Sequence, residues 1–588
     1  MKLLLPVLAS VALLPGPGPM VSSHIRHSPP AQWTSYSAGG QSRLAVLLTD
    51  TTAPWLPLAH GLRTIGVPFV ITRDYHAALT HRVVLVYPMI SGRTLSADAL
   101  RALVGYQGTL IATNVLIGGM GETFGFGEAV PSRTRKAITF SAAAIQRFGL
   151  DDPRESTLRA PWSYGYSKPT EALAMFDDGT AAITVHGHAY ALGVDLGALL
   201  ETGYGGHDET LARGYDNGFE PTIDVWLRVI KKLYTESEPN AVTLGTVPDG
   251  KPLAVMITHD VDYAKSVDNS RAYLELEKSA GIPATYFIQT KYIRDYNDDV
   301  FFNDQEAPRI RELHAAGMEL ASHSVAHSRQ FGTMPVGTGD ERYPGYHPFV
   351  QNATVTTGAS VLGELRISKY LLESLAPGDT VTAFRPGYLA EPRALPQALQ
   401  AAGYRYSSST TANSSLTHLP FALTADRAGE AESGIFEFPV SIEDEAPPRM
   451  DARVNDALDV ARRVARYGGE MVVLIHPNVT DYKLKFEQGF VSALRPTAWF
   501  GTVSAYGRWW AARDGVACDV TTEGGMITLK ITSTQAIDGL PISVPATWTF
   551  VTADAGAQVR PAASHGIIVR VPAGATRIVF RSEPGGHA

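Results

Sequence analysis

"PLAVMITHDVDYA" (Pro252–Ala264) runs as apolar β-type sequence and then meets two aspartates one residue apart. In an extended strand, residues i and i+2 share a face, so Asp260 and Asp262 point one way while His259 and Val261 point the other. Two acids at the end of a buried strand suit a hydrolase site. A second pair, in "MFDDG" (Met175–Gly179), competes for that reading. There, Asp-Gly separates two alternating runs, which is the signal of a hairpin turn, and turn chemistry accounts for it.

The sequence downstream of each pair decides between them. After Asp262 stands "MELASHSVAHS" (Met318–Ser328), with His323 and His327 four apart. On a helical turn that spacing stacks two imidazoles on one face, about 6 Å apart, suited to one metal ion. Two histidines and one carboxylate leave positions open for water and substrate. No such histidine pair succeeds "MFDDG" within its own domain.

Strand candidates continue to about Arg513: "PLAVMITH", "IPATYFIQT", "GMELASH", "TAFRPG", "YRYSSS", "IFEFPV" and "EMVVLIHP". Helical stretches lie between them, such as "SVLGELRISKYLLESLAP" with Val361, Leu362, Leu365 and Leu372 on one face. Seven strands alternating with helices predict a barrel-like α/β fold over 250–513, with its chemistry at the C-terminal strand ends.

At 588 residues the chain calls for roughly two to four domains. Residues 42–240 alternate strand and helix signals and read as a non-catalytic open α/β accessory domain of the amidotransferase or flavodoxin type. "NAVTLGTVPDGKP" (Asn240–Pro252) is turn-rich and reads as a linker. Residues 515–588 alternate apolar and polar positions between turns and read as a small β-sandwich. The apolar start, 1–22, has the pattern of a secretory signal, and places the protein outside the cell, in the periplasm or at the cell surface. Its apolar run, Leu3–Leu14, is too short for a bilayer-spanning helix of about 20 residues, and no other stretch qualifies.

The net charge of -8 argues against nucleic acid and anionic membranes as partners. Cys518 is the single cysteine, so a metal here must rest on His, Asp or Glu.

The strings "THDVD", "IPATYFIQT", "AAGMELASHSVAHS", "FRPGY" and "VLIHP", in this order, resemble the polysaccharide deacetylases of the NodB-homology type, whose domain is a distorted (β/α)7 barrel. The resemblance implies a divalent metal, usually Zn2+ with Co2+ or Ni2+ as alternatives, held by Asp262, His323 and His327. It implies Asp260 as the base that deprotonates the attacking water, Arg385 as the group orienting that base, and the backbone N–H of Tyr388 as an oxyanion donor. His476 in "VLIHP" matches the acid that protonates the departing amine. Three departures stand out. Val261 separates aspartates that are usually adjacent, which leaves the base and ligand roles open to exchange. "RPGY" replaces Arg-x-Pro-Tyr. "YRYSSS" (Tyr404–Ser409) stands where relatives carry an aspartate and a tryptophan, so the group tuning His476 is unassigned.

The resemblance implies an acetylated polysaccharide as substrate and de-N-acetylation of N-acetylhexosamine units as the reaction. The variant aspartate motif looks most like the Pel-type branch acting on galactosamine-containing exopolysaccharides. The alternatives are an O-acetyl esterase on xylan and an inactive carbohydrate-binding scaffold. In the long loop "QFGTMPVGTGDERYPGYHPF" (Gln330–Phe349), Tyr343, Tyr346 and Phe349 are candidates for stacking on sugar rings. Oligomeric state is not legible.

Overall fold

A computed structural model describes residues 29–150, 162–205, 218–297, 299–562 and 566–582, with residues 25, 152, 155 and 160. The segment read as an export signal, 1–22, lies outside the described residues. The chain forms two compact units, one holding 251–508 and the other 30–208, 220–250 and 509–588.

In the first unit, strand and helix alternate as the sequence pattern requires. The strands are β1 (Ala254–Val261), β2 (Thr285–Ile288), β3 (Glu319–Ser322), β4 (Ala383–Phe384), β5 (Tyr406–Ser407), β6 (Glu432–Glu437), β7 (Val440–Ile442) and β8 (Glu470–Ile475). Helices α1 (Ala264–Ala280), α2 (Ala307–Ala315), α3 (Val361–Leu375), α4 (Leu395–Ala401), α5 (Val454–Ala465) and α6 (Tyr482–Leu494) intervene. The order across the sheet is β6-β5-β4-β3-β2-β1-β8-β7, and all these neighbours are parallel. The sheet curls. The run holding β6 and β7 breaks at Phe438-Pro439, with its first half on β5 and its second on β8. Every residue of β1 is buried, as expected of a central strand covered on both faces.

In the second unit, the strands Phe69–Thr72, Leu44–Leu48, Val83–Tyr87, Thr109–Thr113 and Ala189–Leu192 form the parallel part of a mixed sheet. "MFDDG" is the turn joining the antiparallel strands Ala172–Phe176 and Ala181–His186, with Gly179 at φ 81°. Asp178 is occupied there, accepting from Thr180 and pairing with Arg135 at 2.8 Å. The same unit contains two four-stranded antiparallel sheets whose inward residues share one apolar cluster.

One expectation changes. The stretch read as a linker supplies a strand, Thr243–Leu244, that pairs with Ile537–Ser543, and Val242 and Leu244 join the cluster of these sheets. Two apolar positions amid turn residues were enough to be recruited, because the neighbouring sheet offered an edge with open hydrogen-bonding groups.

Candidate active site

Because β1, β2, β3, β4 and β8 are parallel, their C-terminal ends converge on one edge. Asp260 and Asp262 stand at the end of β1, His323 directly follows β3, Arg385 follows β4 and His476 follows β8. Asp260, Asp262, His323, His327, Tyr388 and His476 line one pocket of about 90 Å³, joined by Tyr263, Glu443 and Asn478.

The geometry separates the two aspartates. Asp262 Oδ1 lies 3.3 Å from His323 Nε2 and 3.7 Å from His327 Nε2, is buried, and has no hydrogen-bond partner. Ligand atoms of these three residues all fall within 4.8 Å of one another. An orphaned carboxylate oxygen facing two imidazole nitrogens is the donor set of a divalent cation, so the residues fit the implied metal. Asp260 instead binds Arg385, whose Nη1 donates to Asp260 Oδ1 at 2.7 Å and to Thr258 Oγ1 at 2.9 Å. Arg385 is wholly buried, lies over the Phe287 ring, and donates through Nη2 to Ser408 Oγ at 2.9 Å.

Protonation is set by these partners. Burial opposes charge on Asp260, but Arg385, His323 and His476 outweigh it and hold the carboxyl below its usual range. Burial raises Asp262 against the pull of His323 and His476. Burial also lowers both metal-facing histidines, His327 to about 3, so each imidazole is neutral and its lone pair free for a cation. His323 Nδ1 lies 2.8 Å from the Arg385 carbonyl; as a donor there it leaves Nε2 bare toward Asp262.

The histidine pair does not lie on a helical turn. His323 directly follows β3, and the chain then turns through Ser324 (φ 65°) and His327 (φ 50°), bringing the rings to 5.0 Å between centroids. Glu364 of α3 makes this turn, with one carboxylate oxygen accepting both Val325 N and Ala326 N at 2.8 Å. The four-residue spacing thus brings the two imidazoles together through a buried acid rather than through helical periodicity. "RPGY" also finds a reason, since a Cβ on Gly387 would lie 2.5 Å from the His327 ring. Tyr388, at φ 57°, is half exposed beside that ring, under the Arg329 guanidinium.

Sequence reasoning leaves His476 without a partner, and the structure supplies one. Asp444, two residues past β7, accepts from His476 Nδ1 through Oδ1 at 2.8 Å and from His476 N through Oδ2 at 2.6 Å, and Lys483 Nζ also lies 2.6 Å from Oδ2. Burial opposes ionisation of Asp444, yet His476 and Lys483 hold it at about 2. Burial likewise opposes charge on His476, but Asp444, then Asp262 and Asp260, push it up to about 10. The acidic triplet Glu443-Asp444-Glu445 was the available signal, and only the adjacency of β7 and β8 gives it meaning.

The loop aromatics do not line the pocket. Tyr346 is only 6% exposed and its hydroxyl donates to Glu364 at 2.9 Å, so it braces the histidine turn and presents no face to a sugar. Tyr343 packs against Tyr292 and Tyr370, while Phe349 is 42% exposed. The aromatics at the pocket are Tyr263 and Tyr388, 42% and 39% exposed.

Among known proteins, residues 248–407 match the family model described as polysaccharide deacetylase. A comparison with curated proteins finds no match. A Mycobacterium smegmatis protein named as a polysaccharide deacetylase is 18% identical, covering 47% of this chain and 98% of its own, with a TM-score of 0.34. Peptidoglycan deacetylase PdaC from Bacillus subtilis is 14% identical over 45% of this chain and 93% of its own, at 0.26. A family 4 acetyl xylan esterase from Clostridium thermocellum, solved with cobalt, is 14% identical over 43% and 89%, also at 0.26. With its two aspartates, paired histidines and buried arginine on converging strand ends, the chain carries over residues 248–407 a domain of the polysaccharide deacetylase family, and is a hydrolase of the carbohydrate esterase and N-deacetylase type.

Proposed function

We propose that this chain is an exported, metal-dependent de-N-acetylase that removes acetyl groups from N-acetylhexosamine units of a polysaccharide, releasing acetate and leaving free amines. The observation that carries it is the opposition of two differently held groups across one pocket: Asp260 bound by Arg385, and His476 bound by Asp444.

Asp262, His323 and His327 would hold the cation, which when bound supplies Lewis acidity that polarises the acetamide carbonyl and makes water acidic near neutral pH. Arg385 occupies Asp260 Oδ1, leaving Oδ2 to take the proton of the attacking water. The Tyr388 N–H serves as donor to the developing oxyanion. His476 delivers its Nε2 proton to the departing nitrogen, while Asp444 stabilises the imidazolium and fixes its orientation. An amine leaves only when protonated, whereas a sugar alkoxide leaves more readily. Asp444 raises the pKa of His476, which suits a proton donor to a departing amine.

The test is acetate release from N-acetylated oligogalactosamine, N-acetylated oligoglucosamine and acetylxylan, with zinc and after chelation. The expected outcome is metal-dependent release from an N-acetylated oligomer, the galactosamine form preferred. Cleavage of acetylxylan alone would make the protein an O-acetyl esterase. Release that survives chelation would remove the metal from the reading.

A further inference from the structure

The face of β1 opposite the pocket carries a second cluster of metal-type ligands. His259 of β1 points outward between α1 and α6, where it meets Glu277 of α1 and Glu487 of α6, and all three side chains are completely buried. His259 Nε2 lies 2.8 Å from Glu277 Oε1 and 3.6 Å from Glu487 Oε2. Ligand atoms of the three fall within 4.8 Å of one another, the same compactness as the Asp262 set. The rings of Tyr273 and Tyr286 wall the cluster, with centroids 4.9 and 4.6 Å from that of His259.

We infer that His259, Glu277 and Glu487 form a second, structural site for a divalent transition-metal ion such as Zn2+, closed from solvent and separate from the catalytic pocket.

Two observations support it. Glu277 Oε2 accepts the Tyr286 hydroxyl at 2.9 Å, but both oxygens of Glu487 are buried with no hydrogen-bond partner. A carboxyl so placed bears the full cost of desolvation unless something else occupies its lone pairs. Second, among the described residues neither carboxylate has a lysine or arginine partner, and His259 is the one basic group in ion-pair range. Two carboxylates and a neutral imidazole around a dication sum to zero charge, which suits a dry pocket. One imidazole nitrogen and carboxylate oxygens suit zinc or manganese rather than calcium. A closed site of this kind loads as the chain folds and would tie both helices to the strand that bears Asp260 and Asp262.

The decisive experiment uses the full chain refolded with excess Zn2+, freed of loose metal and measured for zinc per chain. Wild type is expected to hold about two ions, His323→Ala/His327→Ala about one, and that variant with Glu487→Gln added about none. In the His323→Ala/His327→Ala background, zinc should raise the thermal midpoint by several degrees, and Glu487→Gln or Glu277→Gln should abolish that rise. A natively folded His323→Ala/His327→Ala chain without zinc would overturn the inference and leave Glu487 as a protonated core acid. Wild-type stoichiometry in Glu487→Gln would overturn it equally. If Glu487→Gln does not fold, the zinc content of the double-histidine variant decides alone. The proposed deacetylation can fail without affecting the readings in the His323→Ala/His327→Ala background, where the candidate catalytic ligands are removed.

Discussion

Asp260 and Asp262 are two residues apart and share one pocket, yet their surroundings give them different work. Asp260→Asn keeps the shape and removes the proposed base. Turnover is expected to fall about a hundred- to ten-thousand-fold with bound metal unchanged, measured by acetate release alongside metal analysis. Unimpaired turnover would exclude Asp260 as the base. The Asp444 carboxylate raises the pKa of His476, so its loss should act on pH dependence. His476 donates only while protonated, and activity is therefore lost as pH rises through its pKa, about 10. Asp444→Asn should move the alkaline limb of kcat/KM to lower pH by about 1–3 units. An unmoved limb would mean that Asp444 merely holds the loop. The candidate site residues were readable because each stands at the end of a strand, in the order in which the strands follow along the chain. Asp444 was not, because its partner lies 32 residues away beyond an adjacent strand, and the acidic triplet alone does not say which carboxylate meets it.

At the scale of elements, the turn after β3 is shaped by α3. Glu364→Ala removes the acceptor of two consecutive amides and should weaken metal binding about ten- to a hundredfold, measured by competition with a chelating dye. Glu364→Gln should recover most of that loss, because a single oxygen serves both amides. If both variants bind alike, the turn is set by something else. Gly387→Ala should impair binding similarly by pushing the His327 ring aside. The strands were legible because buried parallel strands are continuous apolar runs, and the two faces of β1 come directly from alternation. The histidine turn was not legible: i, i+4 spacing is shared by helices and by tight turns, and the deciding acid lies in the next helix. Left-handed backbone at Ser324, His327, Tyr388 and Leu389 falls at this same edge, where local preference yields to the site.

For the molecule as a whole, the deacetylase unit was recognisable because its motifs bracket it, whereas the extent of the other unit was not. Residues 30–208 and 509–588 fall in one compact body although a separate unit lies between them in the chain. The contacts are specific. Arg43 pairs with Asp519 at 2.7 Å, and the buried Arg513 donates to the carbonyls of Gly245, Arg63 and Thr64. Arg513→Ala would leave three carbonyls without this donor, and a loss of about 2–4 kcal/mol is expected in chemical denaturation. A loss below about 0.5 kcal/mol would show that water replaces the guanidinium there.

The two-residue strand Thr243–Leu244 has a practical consequence. Anyone trimming the gene to a minimal catalytic fragment would place the stop codon near 515, where the texture of the chain changes. That cut discards the partner of Thr243–Leu244 and leaves Val242 and Leu244 greasy and uncovered, so the shortened product should aggregate. A fragment beginning at 251 instead drops both residues along with their lost covering, and is the better starting point for crystallisation or kinetics.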